Sequence, residues 1–225
     1  MRILALDSSG AACSAALWAD GAVRAQRWEP RARGHAERLL PMVLEVASEA
    51  GIALASIDLF AATTGPGGFT GVRIGLAALR GLALAAARPM LGVTSFAALA
   101  HATAKEERAG RSLLAVIDSK RDELFVQAFD ENLAAESEGM VLAAEAIAER
   151  HSARPLLLAG DGAVRVIAAL RARGCDVREA ASATFIDAAV VAKLAAARAS
   201  EARAEPPAPF YLRPPSVKIP AAAVP

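Results

Sequence analysis

Net charge is the first thing this sequence lacks: 25 lysines and arginines face 24 acids, a formal +1 in 225 residues. Such a balance leaves no global field that would by itself hold nucleic acid or an anionic membrane, so any nucleic-acid contact has to be local or borrowed from a partner. Cysteine is scarce as well. Cys13 and Cys175 lie far apart in apolar patterns, which suits reduced, buried thiols and argues against a disulfide framework. The histidines His35, His101 and His151 form no HExxH and no pair at a spacing of four, and no cysteine lies near them. A metal site is therefore not supported. Long apolar runs are missing too. The opening "MRILALDSSG" meets an aspartate after four uncharged residues, too short for a signal peptide. The longest apolar stretch, near 74–87, is broken by Arg80, so no membrane span is expected and the expected location is the cytoplasm.

What is present is ample apolar material, 55% of residues, enough for one sizeable core or two smaller ones. The pattern predicts strands over Ile3–Leu6, Cys13–Trp18 and Ala22–Trp28, with Asp20-Gly21 as a hairpin turn between the last two. Leu39, Leu40, Val43, Val46, Ala47 and Ala50 recur at three and four and predict a helix from His35 ending at Gly51. A strand at Leu59–Thr63, a helix from about Thr70 to Ala87, a short strand at Met90–Val93 and a helix from Ser95 follow. The second half restarts the first. "LLAVIDSKRDELFVQAFDENL" at 113–133 can be laid on "ILALDSSGAACSAALWADGAV" at 3–23, which predicts a duplicated unit. Helices near Ala143–Arg150, Ala163–Arg173 and Thr184–Ala199, with strands at Pro155–Ala159 and near Val177, complete it. The charged "KEERAGR" at 105–111 reads as the hinge. The expected domains are thus 1–108, 109–203 and a proline-rich tail, 204–225, laid on the surface or partly disordered.

Residues 61–81, "AATTGPGGFTGVRIGLAALRG", look like a phosphate cradle. A P-loop, however, needs Gly-Lys-Ser/Thr at its end, and no lysine follows Gly65 in the loop. The dinucleotide fingerprint fails as well, because Thr70 stands where the third glycine should be. A backbone nest at the helix start could still take an anion weakly; the plainer reading is a turn at Gly65 and Gly67 that needs positive φ. Gly71, Gly75, Ala78 and Leu82 share one helix face, and small residues there let a second helix approach. That stripe, with the one on the helix before it, is either core or a docking face. No G-x-S-x-G elbow is present, and "DSSG" at 7–10 is either an ordinary turn or a carboxylate placed beside a phosphate.

The segments "ILALDSS", "HAERLLPMV", "TTGPGGFTGVRIGLAALRGLA", "LGVTSFAALA", "VIDSKRDELFV" and "FYLRPP", in this order, resemble the bacterial TsaB (YeaZ) family over nearly the whole chain. The resemblance implies an α/β fold of two tandem ribonuclease H-like (actin/Hsp70-like, ASKHA) domains, mixed sheets flanked by helices. It also implies a non-catalytic subunit that pairs with the catalytic paralogue TsaD and the ATPase TsaE to attach a threonylcarbamoyl group to an adenosine next to the anticodon of certain tRNAs. The tRNA would be met only through the complex, and the chain alone would form a homodimer. No cofactor is implied, except a nucleotide at the junction with partner subunits.

The catalytic relative carries two metal-binding histidines four apart in a segment resembling "GVHHLEGH". The matching stretch here is "GVTSFAAL", and the ligand positions fall on Ser95 and Leu99, so neither the metal nor a catalytic residue is expected. The expected partner interface is Leu39, Leu40, Val43, Val46 and Ala47 with Gly71, Gly75, Ala78 and Leu82. On that reading Gly75→Leu should leave the fold intact and weaken binding. The glycine loop Gly65, Pro66, Gly67, Gly68, Phe69, Thr70 and Arg73 is a second candidate, and Asp7, Ser8 and Ser9 are candidates for a vestigial phosphate site. Two rival readings remain. One is an ATP-dependent kinase of the same fold, using Asp7 and the "LLLAGDGA" turn at 156–163. The other is a metallopeptidase-like hydrolase, which the missing histidines disfavour.

Overall fold

The computed structural model describes residues 1–213, so the part of the expected tail beyond Arg213 lies outside the described residues. The chain opens with β1 (Arg2–Asp7), antiparallel to β2 (Ala12–Ala19), which turns back into β3 (Ala22–Pro30). At the β2–β3 turn Asp20 and Gly21 have φ of 52° and 82°, both positive as a two-residue I′ hairpin requires. Helix α1 (His35–Glu49) leads to β4 (Leu59–Thr63), α2 (Phe69–Ala86) and β5 (Met90–Val93), with β4 parallel to β1 and β5 parallel to β4.

Helices α3 (Ser95–Ala102) and the short α4 (Lys105–Arg108) cross to the second half. There β6 (Ser112–Asp118), β7 (Leu124–Phe129), β8 (Met140–Leu142), α5 (Ala144–His151), β9 (Leu156–Ala159), α6 (Ala163–Ala172) and β10 (Val177–Glu179) follow in turn, and α7 (Ala188–Ala197) closes the series. The two sheets run β3-β2-β1-β4-β5 and β10-β9-β6-β7-β8. Writing β6 to β10 for β1 to β5 converts one into the other with every parallel and antiparallel pairing kept, so the expected duplication is borne out. Strand β8 was not anticipated, because Met140-Val141-Leu142 runs straight into the alanine-rich start of α5. The last helix starts at Ala188 rather than Thr184, since Asp187 is its cap and accepts from the Ala189 amide at 2.8 Å.

Side-chain alternation sorts each strand between two cores. On β1, Leu4 and Leu6 face α1 and α2, while Ile3 and Ala5 face the middle of the molecule; on β6, Leu114 and Val116 face α5 and α6, while Leu113, Ala115 and Ile117 face the middle. The middle layer is made by α3 and α7, and the two are exchanged. Helix α3, which follows the first sheet, lies on β6 and β7, and α7, which follows the second, lies across β1, β2 and β4. Its sequence, AAVVAKLAAA, keeps it slim enough for that position. The central core draws on both sheets, with Phe96 and Leu99 beside Leu59, Phe125, Val191 and Ala195. Both cysteines are free and buried, and burial pushes the Cys13 thiol up to about 11.

The described part of the tail has specific partners. Met90 and Arg203 exchange backbone hydrogen bonds of 2.7 and 3.0 Å, and the Phe210 amide donates to the Thr64 carbonyl at 2.7 Å. The segment is therefore laid on the surface beside β5 and the end of β4.

Candidate functional site

The carboxyl ends of β1 and β6 point at each other across a cavity of about 320 Å³ between the halves. In the first half Asp7 ends β1 and is buried. Its Oδ1 accepts from the Ser9 amide (3.1 Å), the Ser9 hydroxyl (2.7 Å) and the Thr63 hydroxyl. Burial pushes its pKa above the ordinary carboxylate value, and these donors, with a small contribution from His35, only partly offset the rise. The Ser9 hydroxyl also lies 3.4 Å from that of Ser95 on α3.

The glycine loop is explained by this turn. A methyl on Gly67 would sit 2.4 Å from the Ser9 carbonyl oxygen, one on Gly71 2.1 Å from that of Ser8, and one on Gly75 3.0 Å from the Ser8 hydroxyl. Only hydrogen fits at Gly67 and Gly71 without a shift of the backbone, and at Gly75 the Ser8 hydroxyl would have to give by a few tenths of an ångström. The Gly68 amide donates to the Ser9 carbonyl at 2.7 Å and the Ser8 hydroxyl to the Gly71 carbonyl at 2.9 Å. Gly65 has φ of 102°, as a turn glycine should; Gly67 has none in that region, so its role is close approach. The bond between Gly65 and Pro66 is cis. Helix α2 starts at Phe69 with no side-chain cap.

In the second half Asp118 stands where Asp7 stands in the first. It accepts from the Lys120 amide (2.8 Å), the Lys120 ammonium (3.0 Å) and Arg165 (2.8 Å). Burial alone would raise its pKa, but Lys120 and Arg165 outweigh that and hold it below the usual carboxylate range. Asp161 accepts from the Asp118 amide at 2.8 Å, and burial holds its pKa above the ordinary value. The Lys120 ammonium lies 3.6 Å from Asp161, so one cation bridges two carboxylates. No motif singles out Asp118 or Lys120, and Asp161 enters only as part of the 156–163 turn. The repeated Asp-Ser at 7–8 and 118–119 was the signal that could have found Asp118.

The positions matched to metal ligands do not fit a metal. Ser95 and Leu99 are buried, the first hydrogen-bonded within the turn and the second a hydrocarbon. Among the described residues no group of three or more His, Cys, Asp or Glu side chains is placed to hold an ion. The kinase reading's two elements, Asp7 and the 156–163 turn, do meet at the same cavity, the turn through Asp161.

The expected docking face needs correction. Leu39, Val43, Val46 and Ala47 are buried in the chain's own core, as is Gly75, because α1 and α2 spend these faces on the first sheet. Gly71, Ala78 and Leu82 are half-buried. Of the expected set Leu40 is exposed, at 46%, and the sequence missed Leu44 at 59% and Leu84 at 79%. Helix α2 has 18 residues and a mean hydropathy of 1.4, enough by length and composition to cross a membrane, yet Val72, Gly75, Leu79 and Ala83 pack inward.

Comparison with known proteins extends these findings. Residues 29–153 match the family model described as "TsaD: tRNA N6-adenosine threonylcarbamoyltransferase". A curated Escherichia coli relative, "tRNA threonylcarbamoyladenosine biosynthesis protein TsaB", is 44% identical over 125 residues, 56% of this chain and 53% of the relative. The chain thus spans about half the length of the curated relatives it matches. The solved structure "YeaZ from Pseudomonas aeruginosa" superposes with a TM-score of 0.78 at 34% identity, covering 94% of this chain and 99% of that one. An activator of a 2-hydroxyisocaproyl-CoA dehydratase from Clostridium difficile shares the fold alone, at 12% identity, 89% and 96% coverage and a TM-score of 0.52. The fold is two tandem actin-like α/β units, and the chain belongs to the TsaB (YeaZ) family.

Proposed function

We propose that this chain is a non-catalytic scaffold and activator subunit of the cytoplasmic machinery that attaches a threonylcarbamoyl group to the adenosine next to the anticodon of certain tRNAs. It acts with a catalytic TsaD paralogue and the ATPase TsaE, and pairs with itself when alone. The observation that carries this reading is the near-complete match to a YeaZ structure, joined to relatives named for that pathway. Ser95 and Leu99, buried where a catalytic relative needs ligands, support the accessory role. The docking faces are the outer sides of α1 and α2, carrying Leu40, Leu44 and Leu84. No cofactor belongs to the chain itself; a nucleotide, where one takes part, sits at the junction with a partner.

Depletion of the protein should remove threonylcarbamoyladenosine from tRNA and leave other modified nucleosides in place, as read by nucleoside mass spectrometry. Undiminished levels would overturn the assignment. A kinase reading has one observation in its favour, the shared cavity of Asp7 and Asp161. Complementation by Asp7→Ala, read on a variant whose melting curve shows it folded because Asp7 also ties the turn together, separates the two, since a folded scaffold does without that carboxylate and a phosphate site does not.

A further inference from the structure

A second depression, of about 640 Å³, runs between the glycine loop, the β6–β7 turn and the C-terminal segment. The Arg73 guanidinium lies 3.7 Å over the Phe69 ring, and its Nε donates to the Tyr211 hydroxyl at 3.0 Å. The rings of Phe69 and Tyr211 are 5.3 Å apart and tilted by 33°. Phe69 is 39% exposed and Arg73 is exposed. Three other cations on the rim are already committed, Lys120 to Asp118 and Asp161, Arg213 to Glu123, and Arg121 to an interaction of its own. Arg73 is not: among the described residues it has no carboxylate partner, and its two terminal amino groups have no hydrogen-bond partner.

An aromatic pair, Phe69 exposed and Tyr211 half-buried, beside a guanidinium with spare donors is a specific chemistry. An acidic peptide would use the cation and leave the rings idle; an apolar ligand would leave the cation stranded. An unpaired nucleotide uses both, its base stacking on the rings and its phosphate accepting from the arginine. With a chain charge of only +1, affinity has to come from this local group, which predicts modest, sequence-tolerant binding.

We propose that this groove receives an unpaired stretch of RNA, one base stacking on the Phe69–Tyr211 platform and the adjoining phosphate held by Arg73. The choice of RNA rests on the function proposed above; the stacking and phosphate chemistry rests on the groove.

The test is fluorescence anisotropy with the full chain, a labelled single-stranded oligoribonucleotide of about 12 nucleotides and its duplex, over a salt series. The single strand should bind with Kd between about 10⁻⁴ and 10⁻⁶ M, and the duplex, whose bases are already stacked, more weakly. Phe69→Ala and Tyr211→Ala should each weaken binding about fivefold or more. Arg73→Gln should weaken it and lower the salt slope by about one. Melting curves run alongside, and if an aromatic variant fails to fold, exposed Arg73→Gln carries the test. Equal retention of strand and duplex, no retention, or unchanged binding by the variants would overturn the proposal. A fall in melting temperature with unchanged RNA binding would do so too, showing the cluster to be only a staple for the C-terminal segment. The nucleoside assay in a depleted strain fails independently: normal modification there, with RNA binding lost in the variants, would sink the pathway reading and leave the groove.

Discussion

Gly71→Ala and Gly81→Ala put the same methyl group on the same helix in two surroundings. At 71 the new carbon would lie 2.1 Å from the Ser8 carbonyl oxygen and 3.2 Å from its carbon, whereas at 81 nothing lies within 4 Å. Non-bonded carbon and oxygen need more than about 3 Å, so α2 and the β1–β2 turn must part by roughly 1 Å. That movement strains two hydrogen bonds, Ser8 hydroxyl to Gly71 carbonyl and Gly68 amide to Ser9 carbonyl, each worth about 1 kcal/mol net. Overpacking adds about 1–3 kcal/mol, and the better helix propensity of alanine returns about 1 kcal/mol. Gly71→Ala should therefore lose about 2–4 kcal/mol, or roughly 5–15 °C in melting temperature at about 2–4 °C per kcal/mol. Gly81→Ala should gain up to about 1 kcal/mol. Urea titration followed by far-UV circular dichroism measures both. Matching midpoints in the two variants, or a Gly71→Ala protein as stable as the parent, would refute the account of the glycine loop as a close-packing device. Gly75→Leu belongs with Gly71→Ala: packed against the Ser8 hydroxyl and Leu6, it should destabilise the monomer rather than spare the fold.

Two further outcomes are expected. Asp118 has its pKa depressed in the folded state despite its burial, because Lys120 and Arg165 hold it charged. It therefore stabilises the fold above the ordinary carboxylate pKa, and that stabilisation is lost as pH falls through the folded value. Lys120→Met should lower stability at neutral pH and give a shallower acid limb in the melting temperature against pH; superimposable limbs would show that Lys120 is not what holds Asp118. Leu44→Glu and Leu84→Glu, at exposed positions, should keep stability within about 0.5 kcal/mol while weakening association with the paralogue or with a second copy about tenfold or more, read by sedimentation. Unchanged association places the interface on another face.

The sequence made the strands and their repetition readable, since β1 and β6 end in the same Asp-Ser and each runs on into an alternating strand. Periodicity also found α1 and α2, yet it could not say which way their apolar stripes face. Leu39 and Val43 share a helix with Leu40 and Leu44, and only the sheet beneath decides which pair is spent. The glycines at 67, 71 and 75 misled for a related reason: a small residue signals close approach, but the approaching group is a turn from residues 8–9, between 58 and 67 positions away in sequence. Lys120 against Asp161, and Arg73 against Tyr211, are long-range meetings that no local pattern announces.

The exchange of α3 and α7 sets an order of events for a chain made from its amino end. The first sheet is complete in sequence at Val93, but the helix that covers its inner face begins at Ala188. At about 5–20 residues per second on the ribosome, Ile3, Ala5, Leu59 and Ala61 wait several seconds for their cover while the second half is synthesised. Cutting the gene between the repeats would leave that wait without end. The nascent first half should accordingly be the stage at which a chaperone is recruited, and release from it should follow emergence of residues 188–197 rather than of either sheet.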